Sequence, residues 1–367
     1  MKKKKWDVIV VGSGPGGSMA AKTCVEAGLS TLILEKKKLP RDKVCTGMLM
    51  APWAQNLVKQ KFGAVPATIL ADPYKGITLH VGERHSVTIP NYTPVGWRKN
   101  LDSWMCWKAV EAGANIEEEA RVMRIVEQGT YYEVEYTTGG ATNTAHCRYI
   151  IGADGAISAV RRSIFPNLNT KPRTAVRECY PEILTVDRDY FHWFFPFVSP
   201  SPRFDVNYKQ GFYLIEGGGI KAIKTEMMNI LMEFGMPFHA EPLWRDACSI
   251  PVLYKDLFDG SFVPAKRDVL LVGDAGGLLV PFTQEGIGSA LKSGLLAAES
   301  VIGSIGGKGS AGGIYGKKIG PMIEQLKHFW DAHQGLSEKA KDGAEALCEA
   351  MAKLVEETLK EDTGPLN

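Results

Sequence analysis

The strongest constraint on the fold is a glycine-rich turn close to the start of the sequence. Gly12, Gly14 and Gly17 form a GxGxxG pattern between the apolar, β-branched residues 7–11 and the small and apolar residues 18–27. The first run is typical of a buried strand and the second of a packed helix. Glycines in such a turn let a pyrophosphate approach the backbone N–H groups at the positive end of the helix dipole. The turn therefore predicts a dinucleotide site.

An acidic residue at the end of the next strand supports this prediction. Residues 31–34 form a second apolar run, and Glu35 closes it 18 residues after Gly17. A carboxylate here can accept hydrogen bonds from ribose hydroxyls and disfavours a 2′-phosphate. Pro15 lies in the same turn, and we expect it to contact the nucleotide as well. The order strand, turn, helix, strand predicts a βαβ unit with a parallel sheet.

Length and composition exclude several other classes of protein. The chain has 367 residues, more than one hydrophobic core usually supports, so two or more subdomains are expected. The net charge of +2 argues against a nucleic-acid-binding surface. The seven cysteines form no CxxC pair and no Cys/His cluster with zinc spacing, which predicts a reduced, cytoplasmic protein without a metal. No run of about 18 apolar residues is present that would span a bilayer.

Two more glycine motifs follow apolar runs later in the sequence. The first reads IIGADG and contains Asp154, and the second reads LLVGDA and contains Asp274. A strand that ends in Gly-Asp places a carboxylate at the C-terminal edge of the sheet. After Pro281, the next predicted helix begins at Gly286 and Ile287, and the N–H groups of its first turn favour negative charge nearby.

In this order the three motifs resemble those of the para-hydroxybenzoate-hydroxylase-like flavoproteins, where the second and third are known as the "DG" and "GD" motifs. The resemblance implies FAD as a resident cofactor, with Asp154 beside it and Asp274 bonded to a ribityl hydroxyl. It also implies that Pro281, Gly286 and Ile287 face the pyrimidine edge of the flavin, where negative charge accumulates on reduction.

The segment that starts at Arg98 resembles a further part of this superfamily. Arg98, Asp102, Ala109 and the Gly-Ala pair at 113–114 match its "R…D…A…GA" pattern. The resemblance implies that Arg98 reaches the FAD and that the helix packs beneath the sheet. It also implies that the backbone of Val122 contacts the adenine.

Residues 40–47, PRDKVCTG, narrow the resemblance to the geranylgeranyl reductases. They are similar to the "CxG" loop of that family, which brings a cysteine and backbone amides next to the flavin ring. The resemblance implies that Arg41, Cys45 and Gly47 contact the cofactor. Cys45 is also the one candidate for a catalytic role, in shaping the pocket or tuning the flavin. The match extends from residue 7 to about 298 and departs at residues 46–48, where relatives often have a glycine-rich run.

Residues 191–196 resemble a second segment of the same family, "(Y/F)xWxFP", which lines a lipid tunnel. The resemblance implies that its aromatic and proline residues contact the substrate: Phe191, Trp193, Phe195 and Pro196. Ten Phe, Tyr or Trp occur among residues 190–213, a density that suits either an apolar cavity wall or the core of a sheet. His192 alternates with Trp193 along a strand, so we assign it no catalytic role.

The complete pattern predicts an α/β fold in which two domains are interleaved. A Rossmann-like FAD-binding domain, three-layered around a parallel sheet, is expected over residues 1–70, 95–165 and 265–302. An antiparallel β-sheet substrate domain is expected over residues 71–94 and 166–264. Residues 303–367 are expected to form a Gly-rich connection at 303–316 and a helical tail.

The function expected from these features is the FAD-dependent saturation of C=C bonds in an isoprenoid lipid. Hydride from reduced flavin would reach one alkene carbon, and a proton the other. An isolated alkene accepts hydride poorly, so an apolar tunnel must position the bond and exclude water. Two alternatives stay open at this point: an aromatic monooxygenase with the same fold, and an electron-transfer flavoprotein without a lipid product.

A single dinucleotide fingerprint in the sequence argues against nicotinamide as a resident cofactor. The reductant is expected to visit briefly, as NAD(P)H or as another carrier such as an electron-donor protein. A lipid substrate would bring the chain to the inner face of a membrane, in at most peripheral contact. The lysines at residues 2–5 could assist there.

Overall fold

The computed structural model of the protein describes residues 5–49, 51–82 and 85–360. The basic tail predicted to assist membrane contact lies outside these residues, except for Lys5. The α-helices of the described residues are α1 (Pro15–Glu26), α2 (Pro52–Phe62), α3 (Arg98–Glu111), α4 (Ala159–Ile164), α5 (Lys224–Glu233), α6 (Tyr254–Phe258), α7 (Ile287–Ile305), α8 (Ala311–Lys339) and α9 (Ala344–Leu359).

The β-strands of the same residues form two sheets. The strands are β1 (Lys5–Val11), β2 (Thr31–Leu34), β3 (Leu70–Val81), β4 (His85–Gly96), β5 (Asn115–Glu117), β6 (Arg121–Glu127), β7 (Tyr132–Thr138), β8 (Ala141–Gly152), β9 (Arg173–Pro181), β10 (Tyr190–Phe195), β11 (Phe204–Lys209), β12 (Phe212–Gly218), β13 (Trp244–Ile250), β14 (Ala265–Lys266) and β15 (Val269–Leu271).

The first sheet has the order β14-β15-β8-β1-β2-β5, with the hairpin β6–β7 paired to β8. Its central strands β15, β8, β1, β2 and β5 are parallel. Residues 8–11 of β1 and all of β2 are apolar or β-branched and fully or almost fully buried, as strands covered on both faces require. Helix α1 packs against α3 and α7. The predicted Rossmann-like parallel sheet is therefore confirmed.

The second sheet has the order β13-β9-β12-β11-β10-β3-β4. Its strands are antiparallel except for β10, which runs parallel to β3. That one parallel pair was not predicted, and it arises because β3 and β10 come from separate parts of the chain. On one face, Met227 and Leu231 of α5 join Phe194 and Phe204 in a hydrophobic cluster. Helix α9 packs against β3 and β4.

The chain passes between the two sheets several times, because β3–β4 and β9–β13 are inserted between strands of the first sheet. A continuous hydrophobic cluster joins the sheets, with Val8 and Ile150 from the first and Ile77 and Trp193 from the second. The domain boundaries drawn from the sequence stay a prediction, since the two sheets share this core.

The C-terminal region differs from the prediction at the Gly-rich segment. Helix α7 continues to Ile305 and α8 begins at Ala311, so a long connection over residues 303–316 is wrong. The Oγ of Ser310 accepts a hydrogen bond from the N–H of Gly313 and caps α8. A Cβ on Gly312 would lie 2.4 Å from the carbonyl oxygen of Arg267. Glycine is needed here because α8 begins against the turn before β15.

Helices α2 and α5, among others, were not predicted from the sequence. Helix α2 begins with a proline and buries Ala54, Leu57, Val58 and Phe62 at helical spacing. Helix α5 lies within the region that was predicted to be mostly β-strand. In both cases the nearby prolines and strand-like runs outweighed a short helical pattern.

Candidate cofactor site and adjoining cavity

The glycine-rich turn has the setting that the sequence predicted, because α1 begins at Pro15 directly after it. Gly12 has a φ of +98°, and a Cβ there would lie 2.5 Å from the carbonyl oxygen of Ala153. A Cβ on Gly17 would lie 2.0 Å from the carbonyl oxygen of Gly12. These close approaches exclude any larger residue and hold the turn against the second glycine motif.

Glu35 is buried at the end of β2 and faces this turn. Its Oε2 accepts hydrogen bonds from the Ser13 N–H at 3.0 Å and the Ser13 hydroxyl at 2.8 Å, and its Oε1 accepts one from the Lys37 N–H at 3.0 Å. Burial acts to raise the pKa of the carboxyl, but Arg41 and the Ser13 hydrogen bonds hold it below the ordinary value. Glu35 is therefore a carboxylate that also fixes the shape of the turn, consistent with a ribose partner.

Arg41 and Arg98 converge on one buried acid, Asp102 of α3. Arg98 donates to Asp102 twice, at 2.7 and 2.9 Å, and Nη1 of Arg41 donates to it at 3.1 Å. Nε of Arg41 also lies 3.3 Å from Oε2 of Glu35. Arg41 thus connects the predicted CxG loop to Glu35, and both arginines line the cavity described below.

The two aspartates of the later glycine motifs have different surroundings. Asp154 accepts hydrogen bonds from the Ser158 hydroxyl at 2.5 Å and the Ala159 N–H at 2.6 Å, so it binds the N terminus of α4. Burial raises the pKa of Asp154 above its ordinary value. Asp274 is partly exposed and lies 3.7 Å from Nζ of Lys43. Asp274 therefore retains more capacity than Asp154 to bind a ligand hydroxyl.

The N terminus of α7 carries a carboxylate of its own. Glu285 accepts a hydrogen bond from the Gly288 N–H at 2.7 Å, while Gly286 and Ile287 line the cavity. Burial raises the pKa of Glu285. The positive end of the α7 dipole is thus shared between Glu285 and any bound anion.

The loop before α7 contains unusual backbone conformations. Phe282 and Gln284 have φ values of +65° and +56°, a region that residues other than glycine rarely adopt. Such strain is concentrated at functional sites. Pro281, predicted to face the flavin, is buried in this loop and does not line the cavity.

The CxG loop is held to the second sheet through its backbone. The N–H of Gly47 lies 3.3 Å from Sγ of Cys45, and a Cβ on Gly47 would lie 1.9 Å from the carbonyl oxygen of Gly96. Nη1 of Arg177 donates to the Cys45 carbonyl oxygen at 3.1 Å, and Nζ of Lys209 donates to that of Thr46. These two buried cations were not predicted from the sequence.

A cavity of about 540 Å³ extends from the glycine-rich turn to the second sheet. It is lined by most of the predicted cofactor residues: Gly12, Gly14, Pro15, Glu35, Arg41, Cys45, Arg98, Val122, Asp154, Asp274, Gly286 and Ile287. Six predicted site residues are not among its lining residues: Gly17, Gly47, Pro281, Trp193, Phe195 and Pro196. The cavity therefore brings together residues from segments that are distant in the sequence.

The aromatic segment contributes less to this cavity than the sequence predicted. Phe191 lines it, whereas Trp193 and Phe195 are buried in the core. The guanidinium of Arg203 stacks on Trp193 at 4.0 Å from the ring centroid, and Phe282 packs edge-on against the same ring. Trp193 and Phe195 therefore belong to the core next to the cavity, and their contact with a substrate stays a prediction.

His192 has a structural role, in agreement with the sequence interpretation. Its Nε2 donates to the carbonyl oxygen of Asp187 at 2.7 Å, and its Nδ1 lies 3.0 Å from Nε2 of His80. Since Nε2 carries the proton, Nδ1 must accept the hydrogen bond from His80. Burial lowers the pKa of both imidazoles, that of His80 to about 4.

A row of charged residues crosses the second sheet beneath the cavity. Asp205 pairs with Glu216, Glu216 with Arg177, and Arg177 with Asp246, so the row extends over the four adjacent strands β11, β12, β9 and β13. Directly paired residues point to the same face of a sheet. Asp205 and Glu216 line the cavity. Sequence reasoning missed this row, although polar residues alternate with apolar ones along β11.

Burial changes the ionisation of this row. It raises the pKa of Glu216 above its ordinary value and that of Asp205 to about 6, and it lowers the pKa of Lys209. Arg177 forms a bidentate ion pair with Asp246, with nitrogen–oxygen distances of 3.0 and 2.6 Å. The floor of the cavity thus combines paired charges with carboxyls that hold a proton close to neutral pH.

The comparisons with known proteins agree with an FAD-binding fold. Residues 5–178 match a family described as an FAD binding domain. The chain is similar to digeranylgeranylglycerophospholipid reductase 2 of Methanopyrus kandleri, at 27% identity over 307 residues that cover 80% of this chain and 76% of that protein. The predicted resemblance to geranylgeranyl reductases and the prediction of an FAD-dependent oxidoreductase are therefore confirmed.

Solved structures with this fold have different activities. A geranylgeranyl bacteriochlorophyll reductase-like protein from Thermoplasma acidophilum superposes with a TM-score of 0.73 at 20% identity, covering 96% of this chain and 98% of that one. The p-nitrophenol 4-monooxygenase of Pseudomonas putida superposes with a TM-score of 0.72 at 15% identity, covering 97% of each chain. The shared fold alone thus does not separate reduction from hydroxylation.

Among the described residues, no helix has the length and apolar character needed to cross a membrane.

Proposed function

We propose that this FAD-dependent oxidoreductase saturates C=C bonds in the isoprenoid chains of a geranylgeranyl-type lipid. The observation that carries the proposal is the continuous cavity, which joins the glycine-rich turn and Glu35 to the floor of the second sheet. One end has the donors and acid of a dinucleotide site, and the other offers Phe191 beside the CxG loop. Similarity to the archaeal lipid reductase supports the same substrate class.

The residues present suit FAD. Gly12 and Gly17 allow a pyrophosphate to reach the N terminus of α1, and Glu35 suits a ribose hydroxyl. Asp274 suits a ribityl hydroxyl, and Gly286 suits the ring edge. When bound and reduced, FAD supplies the hydride for the double bond.

The work of this chain is to position the alkene and exclude water. Arg177 and Lys209 fix the backbone of the CxG loop, so the cofactor side of the cavity is held rigidly against the second sheet. Trp193 and Phe195 are buried on the same face of β10 as Phe191, and the ring of Trp193 contacts that of Phe191. Rigid, dry walls favour a reactive alignment that a flexible site would lose.

In this proposal the reductant is a visiting carrier such as NAD(P)H.

The substrate is proposed to enter from a membrane that the protein contacts peripherally. Three apolar side chains are exposed at and just before the edge strand β13: Phe238, Leu243 and Trp244. Cys248 of the same strand lines the cavity. We expect replacement of Phe238 and Leu243 by serine to weaken co-sedimentation with lipid vesicles. Unchanged co-sedimentation would contradict this route of entry.

The proposed reaction is tested by product mass. The FAD-loaded protein is reduced without oxygen, mixed with a prenylated glycerolipid, and the lipid is analysed by mass spectrometry. A gain of two hydrogens for each flavin oxidised is expected. An oxygen-dependent gain of one oxygen atom would instead identify a monooxygenase. Flavin reoxidation by a quinone or protein carrier, with unchanged lipid, would identify an electron-transfer flavoprotein.

A further inference from the structure

We infer that Glu216 donates the proton that completes saturation of the double bond. This inference rests on the proposed function, because a proton is needed at carbon only if an alkene takes up hydride. It adds a catalytic residue at a position that no flavin motif includes.

The position of Glu216 is the first support. Glu216 lies on β12 at the centre of the charged row, and it lines the same cavity as Cys45 and Phe191. Its register neighbour Arg177 donates to the carbonyl oxygen of Cys45. The carboxyl is therefore close to the loop that is expected to face the flavin ring.

The hydrogen bonding of Glu216 is the second support. Its Oε1 is buried and, within the described part of the chain, accepts no hydrogen bond from another group. The adjacent cations have other partners, since Arg177 pairs with Asp246 and Nζ of Lys209 contacts the backbone of the CxG loop. A purely structural carboxylate in such a place would be expected to be hydrogen-bonded. Leaving a buried oxygen without a partner costs less free energy for a protonated, neutral carboxyl than for a charged carboxylate.

The charges around Glu216 set its proton affinity. The titratable and charged groups that influence it lie on other strands of the second sheet: Asp205 and Lys209 on β11, Arg177 on β9, Asp246 and Cys248 on β13 and Tyr74 on β3. Burial is the largest effect and raises the pKa, and the two aspartates act in the same direction. Arg177 and Lys209 oppose it only in part. Glu216 therefore carries a proton at pH values where an exposed carboxyl has lost it.

The step is balanced in atoms and electrons. One alkene carbon forms a C–H bond with the hydride that the reduced cofactor supplies, and the π bond breaks. The electron pair of that bond takes the proton from the carboxyl of Glu216, forming the second C–H bond. The carboxylate left behind is stabilised by Arg177 and Lys209. A proton taken up from solvent after the product leaves restores the acid.

Three variants test this role. Glu216→Gln keeps the size of the side chain and removes the acid, and Glu216→Asp keeps the acid but shortens it. Glu178→Gln is the matched control, because Glu178 is a buried carboxylate on β9 that bonds to Arg245 and does not line the cavity. FAD content and thermal unfolding confirm that each variant is folded.

The first measurement does not depend on turnover. Infrared difference spectra of the oxidised, FAD-loaded protein are recorded without lipid while the pH is raised. Asp154, Asp205 and Glu285 also have raised pKa values, so each contributes to the carboxylic-acid absorption. We expect one component of this absorption to titrate above the ordinary carboxyl range in the wild type and in Glu178→Gln, and to be missing in Glu216→Gln. A spectrum of Glu216→Gln identical to the wild type would overturn the inference.

The second measurement is a single turnover of the reduced protein. With a prenylated glycerolipid, Glu216→Gln should be slower than the wild type by roughly 10²–10⁴-fold, the usual contribution of a general acid. Glu216→Asp should regain part of the rate with a shifted pH profile. Flavin reoxidation by ferricyanide, which transfers no proton to carbon, should be unchanged in all variants.

The failures of the two proposals can be told apart. Lipid reduction by Glu216→Gln at the wild-type rate and with the same pH profile overturns the proton donor and leaves the proposed function intact. A wild type that reacts with ferricyanide but never reduces the lipid overturns the proposed function and this inference together.

Discussion

Arg177 donates a hydrogen bond to the carbonyl oxygen of Cys45 at 3.1 Å, which ties the CxG loop to strand β9 of the second sheet. The two residues are 132 positions apart in the sequence. Their contact means that the position of a loop expected to face the cofactor depends on a strand expected to bind the substrate. The same guanidinium is held by Asp246, so the loop and two strands form one polar unit.

Replacing Arg177 by methionine should therefore weaken FAD binding as well as stability. Asp246 loses its partner, and we expect the free energy of unfolding to fall by about 1–3 kcal/mol. Adding Asp246→Asn should restore part of the stability but not the FAD affinity, because the Cys45 contact is still missing. Urea denaturation and titration of the apoprotein with FAD measure the two effects. Full recovery of affinity in the double variant would contradict this account.

Gly17→Ala should abolish tight FAD binding. The added Cβ would lie 2.0 Å from the carbonyl oxygen of Gly12, so the turn must open. Gly335→Ala is the control, because nothing lies within 4 Å of the added Cβ and the residue is inside α8. The control should leave FAD binding unchanged and raise stability by up to about 1 kcal/mol. The absorption spectrum of the purified proteins reports the bound flavin.

Glu35→Gln should lower the affinity for FAD about tenfold, a loss of roughly 1.4 kcal/mol in line with one hydrogen bond to a charged group. The amide also leaves Arg41 with less negative charge nearby. Glu117→Gln is a suitable control, since Glu117 bonds to the hydroxyl of Tyr136 and does not line the cavity. Calorimetric titration of each apoprotein with FAD measures the affinity of the two variants. Equal affinities in both variants would remove the ribose assignment.

Cys45→Ala should slow lipid reduction several-fold and leave FAD affinity nearly unchanged. The hydrogen bonds from Arg177 and Lys209 go to backbone carbonyl oxygens, so the loop keeps its position without the thiol. Turnover and FAD titration on the same samples test this expectation. Undiminished turnover would show that the thiol has no part in the reaction.

Acid should destabilise the protein through the His80–His192 pair. The pKa of His80 is lowered from 6.5 to about 4 by burial and by His192, so the unfolded chain takes up a proton at a higher pH than the folded one. Stability should therefore fall as the pH drops from 6.5 towards 4, by at most about 3 kcal/mol from this group.

His80→Phe is the matched variant for this test, because His80 already stacks on Phe194 with ring centroids 4.3 Å apart. At pH 8 it should be less stable than the wild type, because phenylalanine cannot form the hydrogen bond to His192. Its stability should fall less steeply between pH 6.5 and 4. Urea denaturation across this range gives both slopes, and parallel slopes would contradict the assignment.

The parts of the site that sequence reasoning predicted are local. The glycine-rich turn, Glu35 and the start of α7 each depend on residues close together in the chain, where the spacing of the glycines and the acid directly indicates a nucleotide site. The features that differ from the prediction depend on packing. Helix α8 begins earlier than the glycines suggested, because Gly312 has no side chain and the backbone of Arg267 can pack directly against it.

The charged row could not be predicted in the same way. Asp205, Glu216 and Arg177 become neighbours only through the register of three strands, and register depends on pairing across distant segments. The burial of Trp193 could not be predicted either. Its motif indicates an aromatic strand, but it does not indicate which residues of that strand reach the cavity. Alternation of charged and apolar residues within β11 was the one local signal of this row.

The interleaving of the sheets has a consequence for how the protein is made. β8 lies between β1 and β15, so the parallel sheet is complete only after residue 271 has left the ribosome. Pairings between such distant segments close large loops and fold slowly. A fragment that ends at residue 178 lacks both β15 and α7, so its exposed strand edge would favour aggregation over cofactor binding. The flavin site can therefore form only after β15 and α7 have been synthesised, and not when the first half of the chain is complete.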